Sequence, residues 1–365
     1  MAKRKIGILT SGGDCPGLNA TIWGAVRSCV TALGADNVEF VGISGGYHGL
    51  INDNCKVMNA DDFSGIFTLG GTMLTSIRTP YKKMREVESD GVDKIAAMKS
   101  TYNKYGLDCV LTLGGRGSHR NAHLLSQEGM NVIGLPKTID NDIFGTDVTF
   151  GFHTAVEIGA DALDRIHTTA KSHNRAIVVE IMGNRVGWLA LYTGIAGAAD
   201  MILIPEIPYK ESRIVESIQS RVDAGESGFV VVVAEGAMSE GEASMKKKER
   251  KRLREESGEK TVTNSIARLI ESKTGVETRV FVPGHMLRGG SPSACDRVLS
   301  ARFGAKAAEL IVTEDYGRMV ACVNGEITSA NLDDIAGQTK FVDVSSNVVK
   351  TARDVGIDFC NENKV

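Results

Sequence analysis

The chain has 365 residues, 42% of them hydrophobic and 24% charged, with a formal charge of −3. That length exceeds one small core and fits two medium domains, or one large domain with an insertion. The near-balanced charge argues against nucleic acid as the main partner, and there is no apolar run of roughly 18 residues to offer a membrane span.

Glycine is abundant at 41 residues and proline scarce at 7, the composition of many tight turns between regular elements. Cys15, Cys29, Cys55, Cys109, Cys295, Cys322 and Cys360 are scattered without a CxxC pair and read as reduced, mostly buried thiols. Met1 to Lys5 leads into a short strand rather than a signal peptide, so a cytoplasmic protein is expected.

Lys5–Thr10 reads as a strand, and Ser11-Gly12-Gly13-Asp14 then turns into a helix running to about Leu33. A strand, a glycine-rich turn and a helix start together make an anion site, because backbone N–H groups are free there. The turn is neither a GxGxxG fingerprint nor a GxxxxGK[ST] loop. A second strand, Val38–Ser44, ends in Gly45-Gly46, and Gly70-Gly71 opens another glycine-rich segment that carries Arg78. Val92–Tyr105 has helical spacing. Asp108–Leu113 reads as a buried strand broken at Gly114-Gly115-Arg116-Gly117-Ser118, with a helix beginning near His119.

The apolar run Asn131–Gly134 reads as a strand that Pro136 ends, releasing Lys137-Thr138-Ile139-Asp140-Asn141-Asp142. If that loop is extended, Asp140 and Asp142 point to the same side. Two carboxylates beside a lysine suit a general base and a phosphate ligand, although Asp-Asn-Asp reads equally as a turn. Further strands follow at Ala176–Ile181, Met201–Ile204, Phe229–Ala234 and Glu277–Val282, with helices from Gly151 to about Ala170 and from Ala294 to Glu309. The charged stretch Lys246–Glu256 mixes signs and reads as a solvated surface helix. From Met319 the tail mixes short strands with an amphipathic segment, Val348–Phe359. In an open parallel sheet ligands gather beyond the carboxyl ends of the strands, and four such ends here release loops of this kind.

The ordered set SGGDCPGLNA, GGTML, SIR, LGG, PKTIDNDI, GFHTA, PEIP and GHMLRGGSPSACDR resembles the 6-phosphofructokinase family, whose members use ATP or pyrophosphate, from Lys5 to about Val312. The resemblance implies an α/β fold of two Rossmann-like three-layer α/β/α domains with mostly parallel sheets. Residues 1–150 with 285–314 would bind the donor, and 151–284 with 315–365 the sugar phosphate. The implied reaction is phosphoryl transfer to the 1-hydroxyl of fructose 6-phosphate or a close ketose phosphate, with Mg²⁺ as cofactor. A phosphofructokinase-like regulatory protein with little catalysis is the alternative.

By the same resemblance, Gly13 and Arg78 match contacts to the donor phosphates. Gly115, Arg116, Gly117 and Ser118 match the donor loop, with Lys137 alongside. Asp140 matches the base, with Thr138 and Asp142 as partners. Met182 and Gly183 match sugar-phosphate contacts, Glu235 a sugar hydroxyl ligand, and His285 with Arg288 the 6-phosphate grip. Arg175 and Arg279 match residues that reach a neighbouring subunit's site, which implies a homodimer or homotetramer. The sequence departs from the family at Arg116, where an aspartate linked to magnesium is usual, leaving Asp142 as a candidate metal ligand. Asn184 stands for a common arginine and Ser44 for a tyrosine near adenine. Gly117 together with Lys137 favours ATP over pyrophosphate as donor.

Overall fold

Strands form where β-branched and apolar residues run together, because such side chains pack on a pleated surface buried from both sides. The computed structural model describes residues 3–87, 91–256 and 261–362. In chain order the strands are β1 Arg4–Ser11, β2 Val38–Ile43, β3 Cys55–Met58, β4 Cys109–Gly114, β5 Val132–Pro136, β6 Ala176–Ile181, β7 Met201–Leu203, β8 Phe229–Ala234, β9 Thr278–Phe281, β10 Arg318–Val323 and β11 Glu326–Asn331.

The chain divides into two units, one reaching to Thr154 and including Arg288–Lys340, the other Ala155–Leu287 with the chain from Phe341 onward. The first holds a seven-stranded sheet in the order β11-β10-β5-β4-β1-β2-β3. Its inner pairs are parallel, whereas β3 and β11 close the two edges antiparallel. The second holds a wholly parallel sheet, β7-β8-β6-β9. Each unit buries its own core: Leu9, Val41, Val110, Val132 and Met319 in the first, Val178, Leu203, Val231, Ile214 and Ile266 in the second. This is an α/β architecture.

The segment 315–340 departs from the sequence-based division. It was expected with the second unit, but β10 pairs in parallel with β5, Arg318 opposite Ile133 and Met319 opposite Gly134. Met319, Val320 and Ala321 are fully buried there, so moving them elsewhere would expose that apolar surface. The chain crosses to the second unit only after Lys340.

In the first unit the helices Leu18–Leu33 and Ala294–Val312 pack closely through small residues. A Cβ on Gly304 would meet Thr21 O at 2.6 Å and Gly24 C at 2.7 Å, both backbone atoms that no rotamer can move aside. In the second unit the charged helix Lys247–Glu256 is not wholly solvated. Arg254 forks onto Glu242, with Nε to Oε1 at 2.6 Å and a terminal nitrogen to Oε2 at 3.0 Å, and also reaches Ala237 O at 3.1 Å.

Candidate active site

Parallel register brings the carboxyl ends of three strands side by side. Ser11 of β1 pairs with Gly114 of β4, and Gly114 pairs with Pro136 of β5. The loops leaving at Gly12, Gly115 and Lys137 are therefore neighbours. Lys137 N donates to Gly114 O at 3.0 Å, and its Nζ donates to Gly13 O. A fourth segment joins them: Ser76 Oγ donates to Gly12 O at 2.7 Å, Thr10 Oγ1 to Thr75 O at 2.8 Å, and Gly12 N to Ile77 O at 3.5 Å. Arg78, next in the chain, is exposed. The Arg288 guanidinium lies against Gly13, so a Cβ there would lie 3.0 Å from Arg288 Cζ and push that side chain aside.

The helix expected near His119 begins earlier, at Arg116. Arg116, Gly117 and Ser118 thus form its first turn, where unsatisfied N–H groups and the helix dipole favour an anion. Tyr47, buried, ties this turn down by donating from its hydroxyl to Ser118 O at 2.7 Å. His119 is buried against Gly134 of β5, and burial, aided by the Lys137 charge, pulls its pKa down to about 3. Burial likewise lowers the pKa of Lys137, the Arg288 charge adds to the effect, and Asp140 and Asp14 oppose it. Three cations (Lys137, Arg288 and Arg116) and one helix start therefore belong to this one group of strand ends.

The loop after β5 is not extended. Asn141 has φ +53°, in the left-handed region, which removes the simple alternation expected of Asp140 and Asp142. Asp142 is buried and Asp140 only half-buried. The Asn141 amide closes the loop: Nδ2 donates to Asp147 O at 3.2 Å, and Oδ1 accepts from Thr149 N at 3.1 Å. Thr138 Oγ1 accepts from Asp140 N at 3.1 Å, so Thr138 orients the residue two positions on.

Asp142, the candidate metal ligand, instead faces a cation. Arg116 Nε stands 3.8 Å from Asp142 Oδ2, and its guanidinium donates to Thr339 Oγ1. Burial raises the Asp142 pKa and Arg116 opposes that rise. Among the described residues no group of three or more His, Cys, Asp or Glu is placed to hold a metal ion. These side chains do not make a resident magnesium site, because a guanidinium lies against the carboxylate expected to supply a hard oxygen.

In the second unit, β6 and β8 end together, Ile181 opposite Ala234. Glu235 follows β8, and its Oε1 accepts from Gly183 N at 3.3 Å and Asn184 N at 2.5 Å. Met182, Gly183 and Glu235 thus share one strand-end cluster. Glu206, after β7, holds the same turn by accepting from Gly187 N at 3.1 Å. Arg175 and Arg279 lie elsewhere. Both pair with Glu277, Arg175 at 2.8 Å, at the amino-terminal ends of β6 and β9. Six residues of strand, roughly 20 Å, separate them from Met182 within this chain. His285 is exposed in a short 3₁₀ turn, Gly284–Arg288, whose last residue belongs to the first unit.

Two residues at the site carried no sequence signal. From about 200 positions away, Thr339 closes on Arg116 and Lys340 on the loop after β5. Lys340 Nζ donates to Asn141 Oδ1 at 2.9 Å, Thr146 O at 2.9 Å and Asp147 O at 2.7 Å.

A profile of the family described as "Phosphofructokinase" matches residues 5–311. An ATP-dependent 6-phosphofructokinase of Spirochaeta thermophila is 50% identical over 361 residues, covering 98% of each chain. ATP-dependent 6-phosphofructokinase 3 of Bacteroides thetaiotaomicron is 45% identical, over 97% of this chain and 99% of the relative. Among solved structures, phosphofructokinase from Saccharomyces cerevisiae superposes with a TM-score of 0.78 at 28% identity over 98% of this chain. The present chain spans about half of that yeast chain, 48% of its length.

Proposed function

Because the chain belongs to the phosphofructokinase family, we propose that it is an ATP-dependent 6-phosphofructokinase, moving the γ-phosphoryl group of ATP to the 1-hydroxyl of fructose 6-phosphate. The observation that carries this reading is the convergence of the β1, β4 and β5 ends around Gly13, Arg116 and Lys137, with Asp140 on the adjoining loop. Phosphoryl transfer asks mostly for positioning and for compensation of negative charge, and this cluster offers both.

The first unit takes the donor. The helix start at Arg116–Ser118 and the cations Lys137, Arg78 and Arg116 neutralise phosphate oxygens. Asp140 accepts the proton of the attacking hydroxyl, oriented by Thr138, and Thr138 and Arg78 stabilise the group in transit. Arg288, whose guanidinium lies against Gly13, serves the 6-phosphate of the acceptor. Magnesium enters as part of the ATP substrate, and no step is assigned to a protein-held ion.

The second unit takes the sugar phosphate through Met182, Gly183 and Glu235, with His285 contributing to the phosphate grip. Arg175 and Arg279, remote from that cluster in their own chain, serve the site of a second copy in a homodimer or homotetramer. Retention of Thr138, Asp140 and Glu235 speaks against a purely regulatory protein.

The test is formation of fructose 1,6-bisphosphate by the purified protein from fructose 6-phosphate with MgATP or with magnesium pyrophosphate. Product with ATP is expected. Product with pyrophosphate alone would reverse the donor assignment, and no product with either would overturn the enzyme reading.

A further inference from the structure

The loop after β5 is held by a part of the chain that the proposed reaction leaves without a role. Lys340 is the last residue of the first unit before the chain crosses over. An ammonium group has three donors, and here they meet a side-chain amide and two backbone carbonyls at 2.7–2.9 Å. Its backbone N also donates to Asp142 O at 3.0 Å, so the same residue grips the loop at its bend and beyond it. The preceding residue, Thr339, receives the Arg116 guanidinium. Five bonds at two adjacent residues thus touch both the loop bearing Asp140 and the helix start bearing Arg116.

The bend needs such a hold. Asn141 lies in the left-handed region, tolerated by Asn but not favoured, and it stands between the two aspartates. Its Oδ1 is shared between Lys340 Nζ and Thr149 N, so the lysine completes the network that fixes the conformation. Positioning of this kind matters for transfer, since a displacement of about 1 Å at a reacting group can cost roughly 100-fold in rate.

We propose that Lys340, with Thr339, is the positioning residue that fixes the Thr138–Thr149 loop and so sets the place of Asp140. It does not touch substrate. Its effect on turnover rests on the functional reading above, whereas its effect on the loop does not.

The experiment compares wild-type protein with Lys340→Met, Lys340→Arg and Thr339→Val by kinetics, thermal melting and amide hydrogen exchange of peptides across 138–149. For Lys340→Met, kcat falls about 30-fold or more while the KM for ATP stays within about threefold, and exchange across 138–149 speeds up about tenfold with other peptides unchanged. Lys340→Arg keeps a cation and recovers a large part of both losses. Thr339→Val removes one of the two partners of Arg116 and raises the KM for ATP, and an unchanged KM would take Thr339 out of the proposal. Unchanged exchange across the loop, or kcat within about twofold of wild type, would overturn the proposal. If Lys340→Met does not fold, Lys340→Gln decides by the same two readouts: faster exchange across 138–149 with a lowered kcat supports the proposal, and wild-type values of either refute it. Should the wild type make no fructose 1,6-bisphosphate, the functional reading falls and the exchange measurement still judges Lys340.

Discussion

Arg116 and Asp142 face each other at 3.8 Å, Nε to Oδ2, with Thr339 receiving another nitrogen of the guanidinium. Arg116 therefore has one anion built in, and the proposed function brings it a second with the donor. Replacing it by aspartate swings the local charge by two units and sets a carboxylate beside a buried carboxylate. In Arg116→Ala the KM for ATP should rise about tenfold, and in Arg116→Asp further, with a steeper dependence on magnesium. Initial rates across a grid of ATP and MgCl₂ concentrations check this. Equal KM values in all three proteins would remove Arg116 from the donor site.

The strands were legible because their residues settle the matter locally. Ala176–Ile181 and Phe229–Ala234 are short and rich in valine and isoleucine, with Glu180 their one charged residue, and the structure gives both with the same bounds. The helices Glu211–Asp223 and Val262–Thr274 were missed, although Ile214 and Ile218, and Val262, Ile266 and Ile270, recur at helical spacing and are buried. That the ends of β1, β4 and β5 meet was readable, since a parallel sheet gathers its carboxyl ends in any register. The relation between Asp140 and Asp142 was not, because one left-handed residue, Asn141, overturns an argument from alternation. Nor were Thr339 and Lys340, whose part depends on a fold-back that no local pattern encodes. The same fold-back explains the misplaced boundary at 315: β10 finds its partner in β5, some 185 residues earlier.

His119 makes stability sensitive to acid. Its folded pKa of about 3 lies below the ordinary value of 6.5, so between these limits the unfolded chain binds the proton and the folded chain does not. Stability is present above 6.5 and declines as pH falls towards 3, approaching about 1.4 kcal/mol per pH unit. His119→Gln removes that titration. Urea midpoints at pH 7.5 and 5.5 should converge in the variant relative to wild type, and parallel losses in the two proteins would assign the acid sensitivity elsewhere.

Gly304 tests the contact between helices Leu18–Leu33 and Ala294–Val312. Alanine is the better helix former by about 1 kcal/mol. The added methyl meets backbone at 2.6–2.7 Å, and overpacking of this kind costs about 1–3 kcal/mol. Gly304→Ala should lower the melting temperature despite its gain in helix propensity. A raised midpoint in calorimetry would mean that the helices separate without penalty.

The two aspartates of the loop after β5 should separate in their effects. Asp140 is half-buried and placed by Thr138, whereas Asp142 is buried against Arg116 with its pKa raised by that burial. A general base contributes about 100- to 10,000-fold to rate. Asp140→Ala should therefore lose at least about 1,000-fold in kcat while fructose 6-phosphate, titrated calorimetrically, binds within about threefold of wild type. Asp142→Asn keeps the shape of the side chain but leaves Arg116 without its carboxylate, so its main effect should be on the KM for ATP. Turnover that survives Asp140→Ala but not Asp142→Asn would exchange the two roles and place the base on the buried side of the bend.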